Sequence, residues 1–248
     1  MIDISLVVIT LNEEKNIGKC LESVSFAHEV LVIDSGSTDN TKKVSEALGA
    51  RFISHHWEGY GKQKQFAIEQ ATNDWVLLLD ADEFLTKELV EEIKEFDFDD
   101  IQAMELPIKQ IFLGQVCHYG KAVSYPVRMF NRKHGAYDLK NIHEAFIVNG
   151  RVSRFKSAIL HNSATDIGSR IKKIKRDVHL EIKNSTLKVK WHHIFIDPVR
   201  YFLSYYLKQS AWRDGVPGFI LTFLFAAQIL FQNLAIYARD NLNFKFRS

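Results

Sequence analysis

Four short apolar runs alternate with helix-forming stretches through the first hundred residues, and few architectures accept that order. Ser5–Thr10 reads as a strand, followed by a helix over Lys15–Val24 that sets Ile17, Leu21 and Val24 on one face. Val30–Ile33 is the second strand. A helix over Thr41–Leu48 follows, with Ser37 and Asp39 as capping candidates and Gly49 closing it. Arg51–Ser54 is a weaker third strand and Lys62–Ala71 a further helix. Trp75–Leu79 is almost wholly apolar, as a strand covered on both faces should be. This alternation predicts a mostly parallel sheet with right-handed crossovers. Open parallel sheets bind ligands beyond the carboxyl ends of their strands. Three segments fall there: Thr10-Leu11-Asn12-Glu13, Asp34-Ser35-Gly36-Ser37 and Asp80-Ala81-Asp82-Glu83. Acids and small turn residues collect on one edge, and that edge is the candidate site.

Past residue 100 the pattern changes. Ala103–Phe112 and Arg128–Phe130 read as strands of a mixed extension, with Pro107 and Pro126 marking edges. Gly114–Gly120 and Arg132–Lys140 read as loops, 166–190 as a basic helical stretch, and the chain from Asp197 as aromatic and apolar. The expected organisation is a catalytic domain over 1–165, with a nucleotide-binding half (1–100) and an acceptor half (101–165). An extension over 166–248 follows, basic and then hydrophobic. A chain of 248 residues can bury one good core and a small appendage. Charge divides along the same line. Residues 1–100 hold 9 Lys+Arg against 21 Asp+Glu, a balance of −12, and the remainder holds 23 against 9, a balance of +14. The basic half is therefore expected to face something anionic. Cys20 and Cys117 are isolated, which fits a reducing compartment or two plain buried thiols. Met1-Ile2-Asp3-Ile4 lacks the basic start of a secretory signal, so a cytoplasmic catalytic part is expected.

Asp80-x-Asp82 carries the chemistry. Two carboxylates just past a buried strand offer hard oxygen ligands to Mg2+ or Mn2+, and such an ion would stabilise charge building on a nucleotide leaving group. Taken alone, a pair of this kind is more often a solvated acidic turn capping the helix from Thr86. Asp34 can accept from a base N–H or start an Asx turn. Thr10 and Asn12 either contact a nucleoside or shape the first turn. Lys62 and Lys64, near the start of a helix, are candidate phosphate contacts or ordinary surface lysines. His161 is a candidate for the metal shell or a satisfied buried histidine. His55-His56 and Trp191-His192-His193 lack the i, i+4 spacing that puts ligands on one helix face, so both are read as non-metal.

The runs VVITLNEEKNIGKCLESV, EVLVIDSGSTDNT, GKQKQFAIEQA and WVLLLDADE, in that order and spacing, resemble family 2 glycosyltransferases of the GT-A fold. Within that family the DADE form, the NIHEAF segment and the RDG-x-x-G tail are similar to bacterial lipopolysaccharide inner-core β-1,4-glucosyltransferases. The resemblance implies a GT-A fold: a Rossmann-like α/β sheet, mostly parallel, with flanking helices and a C-terminal helical extension. It implies a uridine-diphosphate sugar donor and transfer of a hexose, glucose, with inversion. It puts Thr10, Leu11, Asn12 and Glu13 beside the nucleoside, Asp34 on the uracil, Asp80 toward the ribose and the metal's water shell, and Asp82 on the metal. Lys64-Gln65 stands where many relatives have Arg-Asn, which puts that phosphate-side contact in doubt. Glu144 falls at the position of the acidic general base, with His143 as its neighbour. An inverting transfer needs one carboxylate to take the acceptor hydroxyl proton.

Residues 215–238 carry no charged side chain, and Phe219–Ala238 is apolar except for Thr222, Gln228, Gln232 and Asn233. Twenty such residues could just span a bilayer. The polar stripe favours a helix lying in the interface or packed on the enzyme, with the basic cluster Arg170–Arg176 docking on anionic lipid. The expected partners are a UDP-sugar, a lipid-linked saccharide and the inner face of the inner membrane, with no nucleic acid. Three other readings account for less of the chain. A polyprenyl-phosphate sugar synthase shares the donor half but needs no base at Glu144. A nucleotidyltransferase would want a Gly-rich first loop, which is absent. A basic RNA- or lipid-binding protein explains the +14 half but not the acidic edge, and no RRM, KH or zinc-finger signature supports it.

Overall fold

The computed structural model describes residues 3–138, 144–162, 164–184 and 187–242. In chain order the first elements are β1 (Ile4–Thr10), α1 (Ile17–Glu22), β2 (Glu29–Asp34), α2 (Thr41–Ala47), β3 (Arg51–Ser54), α3 (Tyr60–Glu69) and β4 (Trp75–Asp80). Next come β5 (Glu83–Leu85), α4 (Lys87–Glu95), β6 (Ala103–Glu105), β7 (Ile108–Phe112), β8 (Gln115–Val116), β9 (Val123–Ser124) and β10 (Val127–Asn131). The rest are β11 (Gly135–Tyr137), β12 (Phe146–Val148), β13 (Val152–Arg154), β14 (Ile159–His161), α5 (Ile167–Asn184), α6 (Trp191–Leu203) and α7 (Gly215–Asn241).

These fall into two compact units: Met1–Ile108 with Ser124–Asn162, and Lys109–Val123 with Ser163–Ser248. The first is built on a seven-stranded sheet of order β13-β6-β10-β4-β1-β2-β3. β3, β2, β1 and β4 run parallel, and β10 is antiparallel to both its neighbours. β1 is buried along its whole length because helices cover both faces, so both side-chain sets of the strand are apolar. One face packs Leu6, Val8 and Leu77 against Ile17 and Leu89, and the other packs Val7, Leu31 and Leu78 against Ala67 and Ile68. The register puts Thr10 beside Asp34 and Ile9 beside Asp80, so the carboxyl ends of β1, β2 and β4 finish level.

The predicted parallel α/β sheet with a C-terminal helix is the fold observed. Local boundaries differ. The single strand expected over Ala103–Phe112 is broken into β6 and β7 around Pro107, which cannot donate to a ladder. The expected loops at Gly114–Gly120 and Arg132–Lys140 contain the short strands β8 and β11, too brief to show alternation. Gly215-Val216-Pro217-Gly218 opens the tail helix α7. Pro217 sits in the first turn of α7, where its missing N–H has no intrahelical acceptor to lose. Gly218 is required there, since a Cβ would lie 2.1 Å from the Ala211 carbonyl oxygen.

A boundary at one point near residue 165 would leave Lys109–Val123 in the first unit, whereas these residues belong to the second. Phe112, Cys117 and Ala122 share a core with Ile174, Leu221, Leu224 and Phe225. The buried Asp214 carboxylate also accepts the backbone N–H groups of His118 and Tyr119 at 3.0 Å. The segment Ala211–Asn241 is long and apolar enough to cross a membrane, and 33% of its most apolar stretch is buried.

Candidate active site

Three loops meet at the carboxyl edge of the central sheet. The loop after β1 turns through Asn12, whose φ of 55° lies in the left-handed region that asparagine tolerates. It is sewn to the loop after β2. The Asn12 N–H donates to Ser37 Oγ at 2.7 Å, the Thr38 N–H to Asn12 Oδ1 at 2.8 Å, and the Glu13 N–H to Thr41 Oγ1 at 2.8 Å. Asp34 is buried, and its carboxylate accepts the N–H groups of Gly36 and Ser37 at 2.9 and 2.8 Å, the Asx-turn geometry. Leu11 is exposed at the lip. Thr10 Oγ1 is buried with no hydrogen-bond partner among the described residues, which leaves a hydroxyl available to a bound group.

The third loop separates two carboxylates that are two positions apart in sequence. Asp80 accepts from the Arg128 guanidinium at 2.9 Å and lies 4.0 Å from Lys64 Nζ. The same guanidinium reaches Glu83 at 2.8 Å, and Glu83 also accepts the Asp80 N–H at 3.0 Å. Burial alone would raise the Asp80 carboxyl. The Arg128 and Lys64 charges outweigh it and hold the group well below the usual carboxylate range. Glu83 is shifted upward, chiefly by burial.

Asp82 has a different neighbour. β14 pairs with β5 so that His161 lies opposite Glu83, and this register brings His161 Nε2 to 3.2 Å from Asp82 Oδ2. The Asn162 N–H donates to the Asp82 carbonyl at 2.8 Å, while its side chain donates to Asn16 Oδ1 at 3.1 Å. Asn16 donates in turn to Glu13 at 2.7 Å, closing a chain between the first and third loops. Burial, joined by the Asp82 charge, raises the Glu13 carboxyl. Among the described residues no three His, Cys, Asp or Glu side chains form a cluster that could hold an ion unaided. Asp82 and His161 supply one carboxylate oxygen and one imidazole nitrogen, two of the donors that a divalent ion such as Mn2+ would need.

The two lysines of α3 part company. Lys64 is buried and its Nζ lies 2.6 Å from Glu144 Oε1, so one ammonium links Glu144 to Asp80. Lys62 is exposed and sits 3.4 Å from Glu58 on the surface. The physical reason is helix geometry: residues two apart point to opposite sides. His143 lies outside the described residues. His55 stacks on Phe66 with ring centroids 3.7 Å apart, and its Nδ1 lies 2.8 Å from Gln63 Oε1. Cys20 and Cys117 are free thiols, each buried in a separate apolar core. Sequence reading missed Arg128, Asn16 and Asn162. A charged residue inside the otherwise apolar run Val127–Phe130 was the available signal for the first; nothing in the local sequence marks the two asparagines.

Residues 5–104 match the family model described as Glycosyl transferase family 2. Over 97% of its length the chain is 32% identical to the lipopolysaccharide core biosynthesis glycosyltransferase LpsC of Rhizobium meliloti (strain 1021), of which it covers 96%. The chain belongs to glycosyl transferase family 2. This family 2 glycosyltransferase is also 29% identical to an uncharacterised glycosyltransferase of Rickettsia typhi, across 90% of this chain and 82% of that one. Among solved structures it is similar to S. aureus TarS, at 16% identity over 99% and 93% of the two chains with a TM-score of 0.46. Both the enzyme class and the GT-A architecture expected from the motifs accord with this membership.

Proposed function

We propose that this family 2 glycosyltransferase transfers a hexose, glucose from UDP-glucose, with inversion onto an inner-core heptose of lipopolysaccharide or a similar lipid-linked saccharide. The likeness to LpsC, a lipopolysaccharide core biosynthesis glycosyltransferase, supports the acceptor class. The work is assigned to the inner face of the inner membrane.

The observation that carries the reading is the link from Glu144 through Lys64 to Asp80, at 2.6 and 4.0 Å. It sets a carboxylate from far along the chain beside the acidic end of β4. Glu144 is assigned as the general base. It takes the acceptor hydroxyl proton while that oxygen attacks C1 of the sugar from the face opposite the diphosphate. Lys64 holds the base in position and offers its charge to the donor phosphates. Thr10, Leu11, Asn12 and Glu13 line the nucleoside, with the unpartnered Thr10 hydroxyl free to meet it. Asp34 orders the loop that faces the uracil. Asp80, already neutralised by two cations, serves the ribose side rather than the ion. Asp82 and His161 would hold Mg2+ or Mn2+, which when bound offsets the charge developing on the departing diphosphate.

Calorimetric titration with UDP, with GDP and CMP as controls, in Mn2+ and then in EDTA, tests the donor half. Metal-dependent preference for UDP is the expected result. Absence of nucleotide binding under every condition would remove the reading.

A further inference from the structure

In the second unit, α6 and α7 present apolar side chains to solvent in register. Trp191, Phe195, Val199, Leu203 and Leu207 recur every four residues along α6 and the π-turn Ser204–Lys208 that extends it, each 47–66% exposed. Val216, Phe219 and Phe223 form a matching stripe on α7, each 45–68% exposed. The stripes are joined. Phe202 and Tyr206 stack at 5.1 Å, and both meet Phe219 edge-on at 5.8 and 5.6 Å. A contiguous apolar face of this kind on a folded unit marks an interaction surface.

Charge selects the occupant. Arg200, Lys208 and Arg213 are exposed around the face. Of the acids on the same elements, Asp214 is buried against the His118 and Tyr119 N–H groups, Asp197 is half-buried and bonds His193 and Asn233 at 3.1 and 3.2 Å, and Asp240, at the far end of α7, pairs with Arg239 at 2.7 Å. The fringe of the apolar face is therefore cationic. Two copies of this face brought together would set cation against cation, whereas an anionic bilayer matches both its apolar centre and its charged fringe. The other side of α7 is committed: Leu221, Leu224 and Phe225 pack on Phe112, Cys117 and Ile174, and Asn233 donates to the His193 carbonyl of α6 at 2.9 Å. A helix covered on one side by its own unit offers a bilayer one stripe, not a full circumference.

We infer that α6 and α7 form a monotopic docking face for an anionic lipid bilayer, lying in the plane of the headgroups with α7 not spanning the membrane. The inference deepens the membrane-surface part of the proposed function and commits it to named residues. Trp191 and Trp212 suit the headgroup level, where amphipathic rings concentrate.

The test is flotation of the full chain with phosphatidylcholine vesicles and with vesicles that also carry phosphatidylglycerol. Binding is expected to the anionic vesicles and not to the neutral ones. Phe195→Ser with Phe223→Ser, and separately Arg200→Gln with Lys208→Gln, should each lower partitioning on the order of tenfold. Added salt should reproduce the loss caused by the charge pair. Tryptophan emission should be quenched by lipids brominated near the headgroups more than by those brominated at the chain ends. Vesicle binding unaffected by both variant pairs would overturn the inference. So would a stable dimer that the apolar pair dissociates, because a second copy would then cover the face. UDP titration of the same preparations separates this outcome from the donor reading. Retained UDP binding with lost flotation sinks only the docking face, and the converse sinks only the donor site.

Discussion

The acidic edge of the central sheet and the apolar face of α6 and α7 treat charge in opposite ways. At the sheet edge the ions are drawn inward and cross-tied, Arg128 to Asp80 and Glu83, Lys64 to Asp80 and Glu144. On the helical face the cations Arg200 and Lys208 stand in solvent, and the acids beside them are occupied by neighbours. Buried ion pairs contribute little net stability once desolvation is counted, so their use at the sheet edge is a matter of position. Group transfer needs its carboxylates held to a fraction of an ångström. A lipid surface asks only for apolar area and a sign of charge, and the exposed side chains there are free to adjust.

This contrast predicts abrupt losses at one region and graded ones at the other. The largest effect belongs to Asp82→Ala, which should abolish metal-dependent sugar transfer while thermal unfolding stays near that of the parent. Normal turnover would remove the metal assignment. Glu144→Gln follows, with UDP affinity retained and transfer lowered by about two orders of magnitude, the usual scale of a general base. Unchanged transfer would place the base elsewhere. Arg128→Leu strands Asp80 and Glu83 without their shared cation and should cost about 3 kcal/mol in chemical denaturation.

The parent itself offers a pH test of the same pair. Because the folded Asp80 carboxyl lies below its ordinary value of 3.8, its contribution is fully present above that pH and is lost as pH falls below it. The stability slope below pH 3.8 should be shallower in Asp80→Asn. Lys62→Ala marks the smallest effect: the residue sits in an exposed pair with Glu58, so transfer and UDP affinity should change by less than about twofold. A large loss there would mean that Lys62, and not Lys64 alone, reaches the donor.

How far the fold could be read ahead follows from how local each signal is. The parallel sheet was legible because β1, β2 and β4 are continuous apolar runs separated by amphipathic helices. The edge where ligands bind followed from that order alone. Short strands such as β8 and β11 escaped because two or three residues carry no period. Lys62 and Lys64 looked alike in composition, and only the phase of α3 told them apart. Asp80 and Asp82 looked like a matched pair, yet one is neutralised by Arg128 and Lys64 while the other faces His161.

By itself, the sequence determined the alternation of strands and helices, the acidic sheet edge, the family, and the apolar character of the tail. Each of these is written in residue order over a few turns or strands, where local periodicity and motif spacing suffice. The tertiary structure decided which charges meet. Arg128 is 48 positions from Asp80, Lys64 is 80 from Glu144, and His161 is 79 from Asp82. It also moved Lys109–Val123 into the helical unit and sorted the tail into a buried side and an exposed one. Those outcomes depend on strand register and on packing between distant segments, and neither has a counterpart in the local pattern of the chain.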